Sequence, residues 1–136
     1  MLSRVDELLK IGENFAFETT LASKIYKQKI LIAKQKGYNT SLLFFWLKNI
    51  ELAKERVKSR VREGGHNIPE DIIERRYLGG ILNLFDIYFL IVDQVLIFDN
   101  SEGKPILVAE KNINEDIVIY HNEKFNEIKD YYNKRR

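Results

Sequence analysis

The stretch Arg60–Tyr77, RVREGGHNIPEDIIERRY, gathers Arg60, Arg62, Arg75 and Arg76 around a Gly64-Gly65 break. Clustered arginine suits one chemistry above others: its planar fork meets phosphate or carboxylate oxygens with two parallel hydrogen bonds. Arg56 and Arg60 stand one helical turn apart. Like charges at that spacing cost roughly 0.2–0.5 kcal/mol, so the pair needs nearby acids or an anion. Glu51, Glu55 and Glu63 can supply the acids, which makes a solvated charged face the plain alternative. Arg76, Gly79, Gly80 and Asn83 fall at i, i+3, i+4 and i+7, one face of a helix. Two glycines inside a helix cost about 1 kcal/mol each relative to alanine. They bare that face beside an arginine and an asparagine, so close packing and a ligand lying on it both fit. His66, next to the two glycines, reads as a turn residue sooner than a catalyst. His121 is the other histidine, and no metal-ligand set is expected.

The elements that must position these residues alternate. Residues 2–11 read as an amphipathic helix ended near Gly12, and NFAFET (14–19) as a short strand. Residues 21–36 read as a helix stopped by Gly37. SLLFFWL (41–47) is a continuous apolar run, as in a strand buried on both faces. Residues 49–63 are expected to be helical. Pro69 opens a longer helix, 69–91, with Glu70 and Asp71 in the first turn where the helix dipole favours acids. QVLIFDN and PILVAE read as two strands joined by NSEGKP, EDIVIY as a third, and 122–134 as a last helix. Strand–helix–strand–helix in the first half predicts an α/β sheet with parallel pairs.

Composition bounds the rest. The chain has 136 residues, enough for one domain with a core, and a formal charge of +2, which gives no case for a general nucleic-acid binder. It has no cysteine, so disulfides, cysteine zinc sites and thiol catalysis drop out, in keeping with a cytoplasmic location. The N-terminus lacks the apolar core of a signal peptide. The most apolar stretch, YFLIVDQVLIF, is too short to span a bilayer and is broken by Asp93, so no membrane partner is expected.

RVKSRVREGGHNIPEDIIERRYLGGILNLF followed by VDQVLIFDNS resembles the lid region and following strand of the zeta-toxin-like P-loop kinases. GENFAFETTLAS and AKQKGYNTSLLFFWL resemble that family's second and third strands. The resemblance covers about residues 1–111. It implies an α/β kinase fold in which a helical lid, about residues 49–91, closes over ATP and brings arginines onto the phosphates. Phosphoryl transfer is mainly positioning plus neutralisation of charge on the transferred group. Arg60 and Arg76, with Arg75 as the alternate, are then the phosphate contacts, and Gly64-Gly65 is the pivot. His66 and Asn83 belong to the same lid. Glu18 resembles the acidic substrate-binding position, with Thr19 and more weakly Thr20 beside it; the plain alternative for Glu18 is a cap on the next helix. The family's toxins phosphorylate UDP-N-acetylamino sugars, often opposite an antitoxin.

The chain also departs from that pattern. No G-x-x-x-x-G-K-[ST] run occurs in it. That loop's backbone cradles phosphates, its Lys reaches the transferred group and its Ser/Thr holds Mg²⁺. The catalytic aspartate that follows the P-loop helix in the family is missing as well. The chain reads as a single truncated domain, 1–136, a partial P-loop-kinase fold with a mostly parallel sheet and a C-terminal β-hairpin. ATP and Mg²⁺ are expected only where a P-loop segment is supplied; otherwise a nucleotide or phosphorylated small molecule binds weakly. A non-catalytic remnant that binds a phosphorylated ligand or a protein is the alternative. In the family the P-loop strand separates SLLFFWL from QVLIFDN. Without it, these strands must pair directly, recruit the segment from a partner, or pair with a second copy; a homodimer or a repacked sheet is expected.

Overall fold

Apolar residues at helical spacing wind the first segment into α1, Leu2–Ile11, with Val5 and Leu9 buried. The structure is a computed structural model that describes residues 2–135, with side chains through Lys134. Residues 14–19 do not form the expected strand; they run as an irregular segment. Phe15 packs edge-on against Tyr38 and Phe17 against Tyr26, at the two ends of α2, Tyr26–Gln35. Aromatic contacts thus hold this segment where a backbone ladder was expected. The helix starts later than residue 21 because Leu21 adopts φ +63°. In addition, the hydroxyls of Thr19, Thr20 and Ser23 accept backbone N–H groups two residues on, a local alternative to helix.

β1, Ser41–Trp46, leads into α3, Ile50–Arg62. Asn49 caps α3, its Oδ1 accepting from Leu52 N–H at 2.8 Å. The glycine pair ends it. Gly64, at φ +98°, donates to Val61 O at 3.0 Å, and Gly65 donates to Arg60 O at 2.6 Å, the two bonds of a Schellman cap. A Cβ on Gly65 would lie 2.9 Å from Arg60 O. Pro69 then opens α4, Glu70–Asn83. The expected single helix to residue 91 changes pitch instead, through a π-helical turn, Leu84–Tyr88, and the short α5, Phe89–Ile91.

β2 (Gln94–Asp99), β3 (Ile106–Asn112) and β4 (Val118–Ile119) complete a four-stranded sheet in the order β1-β2-β3-β4. β1 pairs with β2 in parallel from Ser41↔Gln94 to Trp46↔Asp99, so direct pairing is the arrangement found. β2–β3 and β3–β4 are antiparallel. The sheet is therefore mixed and not mostly parallel, because the short turns after β2 and β3 send the chain straight back. The strand expected over 115–120 shrinks to two residues. α6, Asn122–Arg135, closes the fold.

The core lies on one face of the sheet. Trp46, Val95, Ile97 and Ala109 pack there with Ile81, Leu84 and Tyr88 from the α4 side and with Phe125 and Ile128 of α6. The other face corrects the expectation that β1 is buried twice. Leu43 and Phe45 are 50% and 49% exposed, because α4 and α6 both settle on the core face. The register places Leu43, Leu96, Glu110 and Val118 in one row across this open face, and Phe45 stacks on Phe98 at 5.2 Å. Leu43→Lys is expected to change stability by less than about 0.5 kcal/mol, as for a surface site, in urea unfolding. A loss of about 2 kcal/mol or more would show that this face is covered in solution.

Candidate functional site

The parallel strands β1 and β2 end at one rim of the sheet, and open α/β sheets bind ligands outside the carboxyl ends of their strands. A cleft of about 120 Å³ opens at the β1 end, between Trp46 and Leu47, Thr20, and Arg76, Tyr77 and Gly80 of α4. Arg76 and Gly80 stand one turn apart, so α4 presents both to it. Tyr77 donates its hydroxyl to Leu47 O at 2.6 Å, tying the helix to the end of β1. Burial pushes that hydroxyl well above its usual range, with Tyr131 alongside adding to the effect. Trp46 is 1% exposed. Its indole N–H is buried beside the Tyr77 hydroxyl oxygen, the acceptor nearest to it, whose own proton goes to Leu47 O.

The glycine face of α4 is occupied by the chain itself. A Cβ on Gly80 would sit 3.1 Å from Thr20 O, and one on Gly79 3.5 Å from the Ala22 Cβ. Asn83, 6% exposed, donates its amide to Leu21 O and Ala22 O, each at 2.9 Å. Of the two uses of that face, close packing is the one observed, and Asn83 holds a loop in place. Leu21, buried at φ +63°, is fixed by the same contact.

Arg60, Arg75 and Arg76 are all exposed, and none forms an ion pair among the described residues. Arg76 lines the cleft; Arg75 and Arg60 do not. Lys54 holds α3 to α4 by meeting Glu74 at 2.8 Å and Glu70 at 3.9 Å. Arg60, six residues later, stands about 9 Å further along α3, so the structure does not bring it to Arg76. Glu18 and Thr19 are exposed in the segment leading to Thr20 and stay outside the cleft. Gly64 and Gly65 form the helix cap, and His66 follows them, exposed.

Sequence reasoning missed several groups at this rim. Arg56, read as the partner of Arg60 in a charged row, donates to Asn100 O at 2.9 Å and Ser101 O at 3.1 Å and so clamps α3 to the β2–β3 turn. Asp99, 4% exposed, accepts from Ser101 N–H at 3.0 Å and from Lys124 Nζ at 2.6 Å. Burial pushes the Asp99 carboxyl up, yet the hydrogen bonds from Lys124 and Ser101 outweigh it and hold the group below its ordinary value. The bond to Asp99 in turn raises Lys124, against its own desolvation. The two are 25 residues apart, a spacing with no local signature. Among the described residues, no group of three or more His, Asp or Glu could hold a metal ion, and no helix is long and apolar enough to cross a membrane.

Residues 2–124 match the family model described as Zeta toxin. An uncharacterized protein of Haemophilus influenzae is 36% identical over 63 residues, which are 46% of this chain and 45% of the relative. The chain thus spans less than half the length of the curated relative it matches. No solved structure matches.

Two expectations follow from the geometry. Asn83→Ala takes the amide donor from one buried and one part-buried carbonyl and costs about 2 kcal/mol in urea unfolding; a change under about 0.5 kcal/mol would remove Asn83 from its role as a clamp. Lys124→Met strands the Asp99 carboxylate and costs about 2–3 kcal/mol at pH 7. A carboxyl held low stabilises above its unfolded value, about 3.9, and that contribution fades as pH falls through the folded value. The gap between Lys124→Met and wild type should therefore close below about pH 4. A gap of constant size down to pH 2 would show that it does not come from the ion pair.

Proposed function

The chain belongs to the zeta toxin family, and from that membership we propose that it is the C-terminal, lid-bearing part of an ATP-dependent kinase of small molecules. The observation that supports this most is Arg76, a cation without an ion pair among the described residues that lines a cleft at the carboxyl end of a parallel strand. In this reading Arg60, Arg75 and Arg76 neutralise phosphate charge when the α3–α4 hairpin closes. Glu18 and Thr19 contact a hydroxyl-bearing substrate, of which a UDP-amino sugar is the family's example. His66 stays on the lid, and the Gly64-Gly65 cap serves as its pivot. An antitoxin or a P-loop-bearing segment is the partner, and the cytoplasm is the site of action.

In this reading the cradle for ATP and Mg²⁺ comes from the P-loop-bearing segment and not from the cleft beside Arg76. The cleft is about 120 Å³, whereas pockets for drug-sized ligands hold roughly 300–1,000 Å³. This chain alone would not transfer phosphate, since the Lys, the Mg²⁺ ligand and the general base of phosphoryl transfer are all lacking. A second reading, a non-catalytic module for a phosphorylated ligand or a protein, is favoured by the same missing G-x-x-x-x-G-K-[ST] run and by the open sheet face around Leu43 and Phe45. That face is also where a homodimer would form.

The test is a titration of the purified chain with ATP and with pyrophosphate. Binding is expected in the millimolar range, about −4 kcal/mol, weakening with salt as exposed charges are screened. Arg60→Ala and Arg75→Ala/Arg76→Ala should each weaken it further. Affinity unchanged in both variants would overturn the lid reading. Mg²⁺-dependent ATP turnover that Arg60→Ala abolishes would overturn the claim of inactivity.

A further inference from the structure

We infer that β1 is a docking edge for a second copy of this chain, in which the two β1 strands pair antiparallel about Leu43 and join two sheets into one. This moves the homodimer from the open face to the rim of the sheet, and it does not depend on what the lid binds. The observation behind it is a split in the backbone of Ser41–Trp46. Thr40 O accepts from Asp93 and Gln94 N–H, and Trp46 O accepts from Asn100 N–H at 2.8 Å, so both face β2. Backbone groups alternate along a strand, and in a parallel ladder the N–H and C=O of one residue point the same way. Leu42 and Phe44 therefore serve β2, while Ser41, Leu43 and Phe45 turn outward. β1 stands first in the sheet order, so no strand lies on that side. Among the described residues, these outward groups have no hydrogen-bond partner.

Alternating donors and acceptors along an extended backbone are matched by another extended chain, and not by a helix, whose backbone groups bond internally. Native edges are usually blunted by charge, proline or a bulge. SLLFFW carries no charge and no proline, and its register with β2 runs unbroken from Ser41 to Trp46. The far edge of the sheet, β4, is two residues long and offers no comparable template. A second copy supplies an uncharged strand with the same free groups, and a two-fold axis turns it antiparallel. Centring that axis on Leu43 sets Leu43 against Leu43 and Ser41 against Phe45 at either end, and each of these pairs exchanges both of its bonds. A centre at Phe44 would instead call on Leu47, whose carbonyl already accepts from Tyr77. With the axis on Leu43, Leu42 lies across from the partner's Phe44 on the core face, where each is only partly buried in one copy. Leu43 and Phe45, both exposed, gain cover on the open face.

One strand pair is a small interface, so the association is weak, with a midpoint on the order of 100 µM, and the dilute chain is a monomer. Sedimentation velocity from about 5 µM to about 1 mM should show a monomer–dimer equilibrium with no larger species. Amide hydrogen exchange at both ends of that range reads the register. The Leu42 and Phe44 amides, bonded to β2, are protected throughout, and the Ser41, Leu43 and Phe45 amides become protected only in the concentrated sample. Leu43→Pro removes the central outward N–H, which the monomer does not use, and should weaken the dimer at least about tenfold. Ser41→Pro, at the first residue of the strand, removes an N–H at each end of the pairing without touching an apolar side chain, and should weaken it about tenfold. Val118→Lys lies in the same open-face row as Leu43 but on β4, and should leave the midpoint within about twofold. Thermal unfolding confirms that each variant is folded; if Leu43→Pro is not, Ser41→Pro carries the test.

A monomer at about 1 mM would overturn the inference, as would a dimer whose outward amides exchange as freely as in the dilute sample. Loss of the dimer in Val118→Lys together with its survival in Ser41→Pro would place the contact on the open face and remove it from the edge. None of these readouts involves nucleotide, so the lid reading stands or falls separately, on the ATP titration of Arg60→Ala.

Discussion

The parallel pairing of β1 with β2 is the constraint on which the rest of the structure hangs. It is pinned at its first residues. Asp93 Oδ2 accepts from Thr40 N–H at 2.7 Å and from the Thr40 hydroxyl at 3.1 Å, while Thr40 O accepts from both Asp93 and Gln94 N–H. Lys34 adds its charge at 3.4 Å. The Thr40 N–H, then its hydroxyl and Lys34, hold the Asp93 carboxyl below its ordinary value against the push of desolvation. Parallel neighbours cannot be joined by a tight turn. The chain between them must cross over, and α3, α4 and the π-helical turn are that crossover. The arginine-bearing hairpin is therefore the connection that the sheet requires, and its root is fixed wherever the two strands are in register.

From that root the side chains divide by distance from the sheet. Tyr77, Asn83 and Arg56 lie close to it, and each spends its donors on main-chain carbonyls of Leu47, of Leu21 and Ala22, or of Asn100 and Ser101. Arg60 and Arg75, facing solvent, have no such partner among the described residues. The fold thus spends polar groups on rigidity at the base of the hairpin and leaves cations unspent above it. Arg76 sits at the boundary, beside a cleft whose floor is as rigid as the strand that forms it.

Much of this was legible in the residues. The apolar run of β1, Asn49 at the start of α3, the Gly64-Gly65 stop and Pro69 at the start of α4 each act within a few residues of themselves, so spacing sufficed to place them. The fate of Phe15–Thr19 was not legible: its pattern suits a strand, but aromatic contacts with Tyr26 and Tyr38 decide its path, and these depend on where α2 lies. The single-sided burial of β1 was hidden for a related reason, since an apolar run does not say which layers are present to cover it. For the site, the family likeness singled out residues of α4. It could not show that Arg76 and not Arg75 borders the cleft, nor that Asn83 is turned toward a loop.

The span of the β1–β2 pairing bears on how the chain reaches its native state. Thr40 and Asp93 are 53 residues apart, and closing a flexible loop of that length costs about 3.5 kcal/mol in chain entropy. Helices form from local contacts on far shorter timescales than such a closure. Winding α3 and α4 first, and letting Lys54 fasten them, shortens the effective loop and reduces that cost. The hairpin is then an early structure and the parallel ladder a late one. Until the ladder closes, the SLLFFW strand lacks both its neighbour and its core, so the interval before closure is when this chain is most exposed to aggregation.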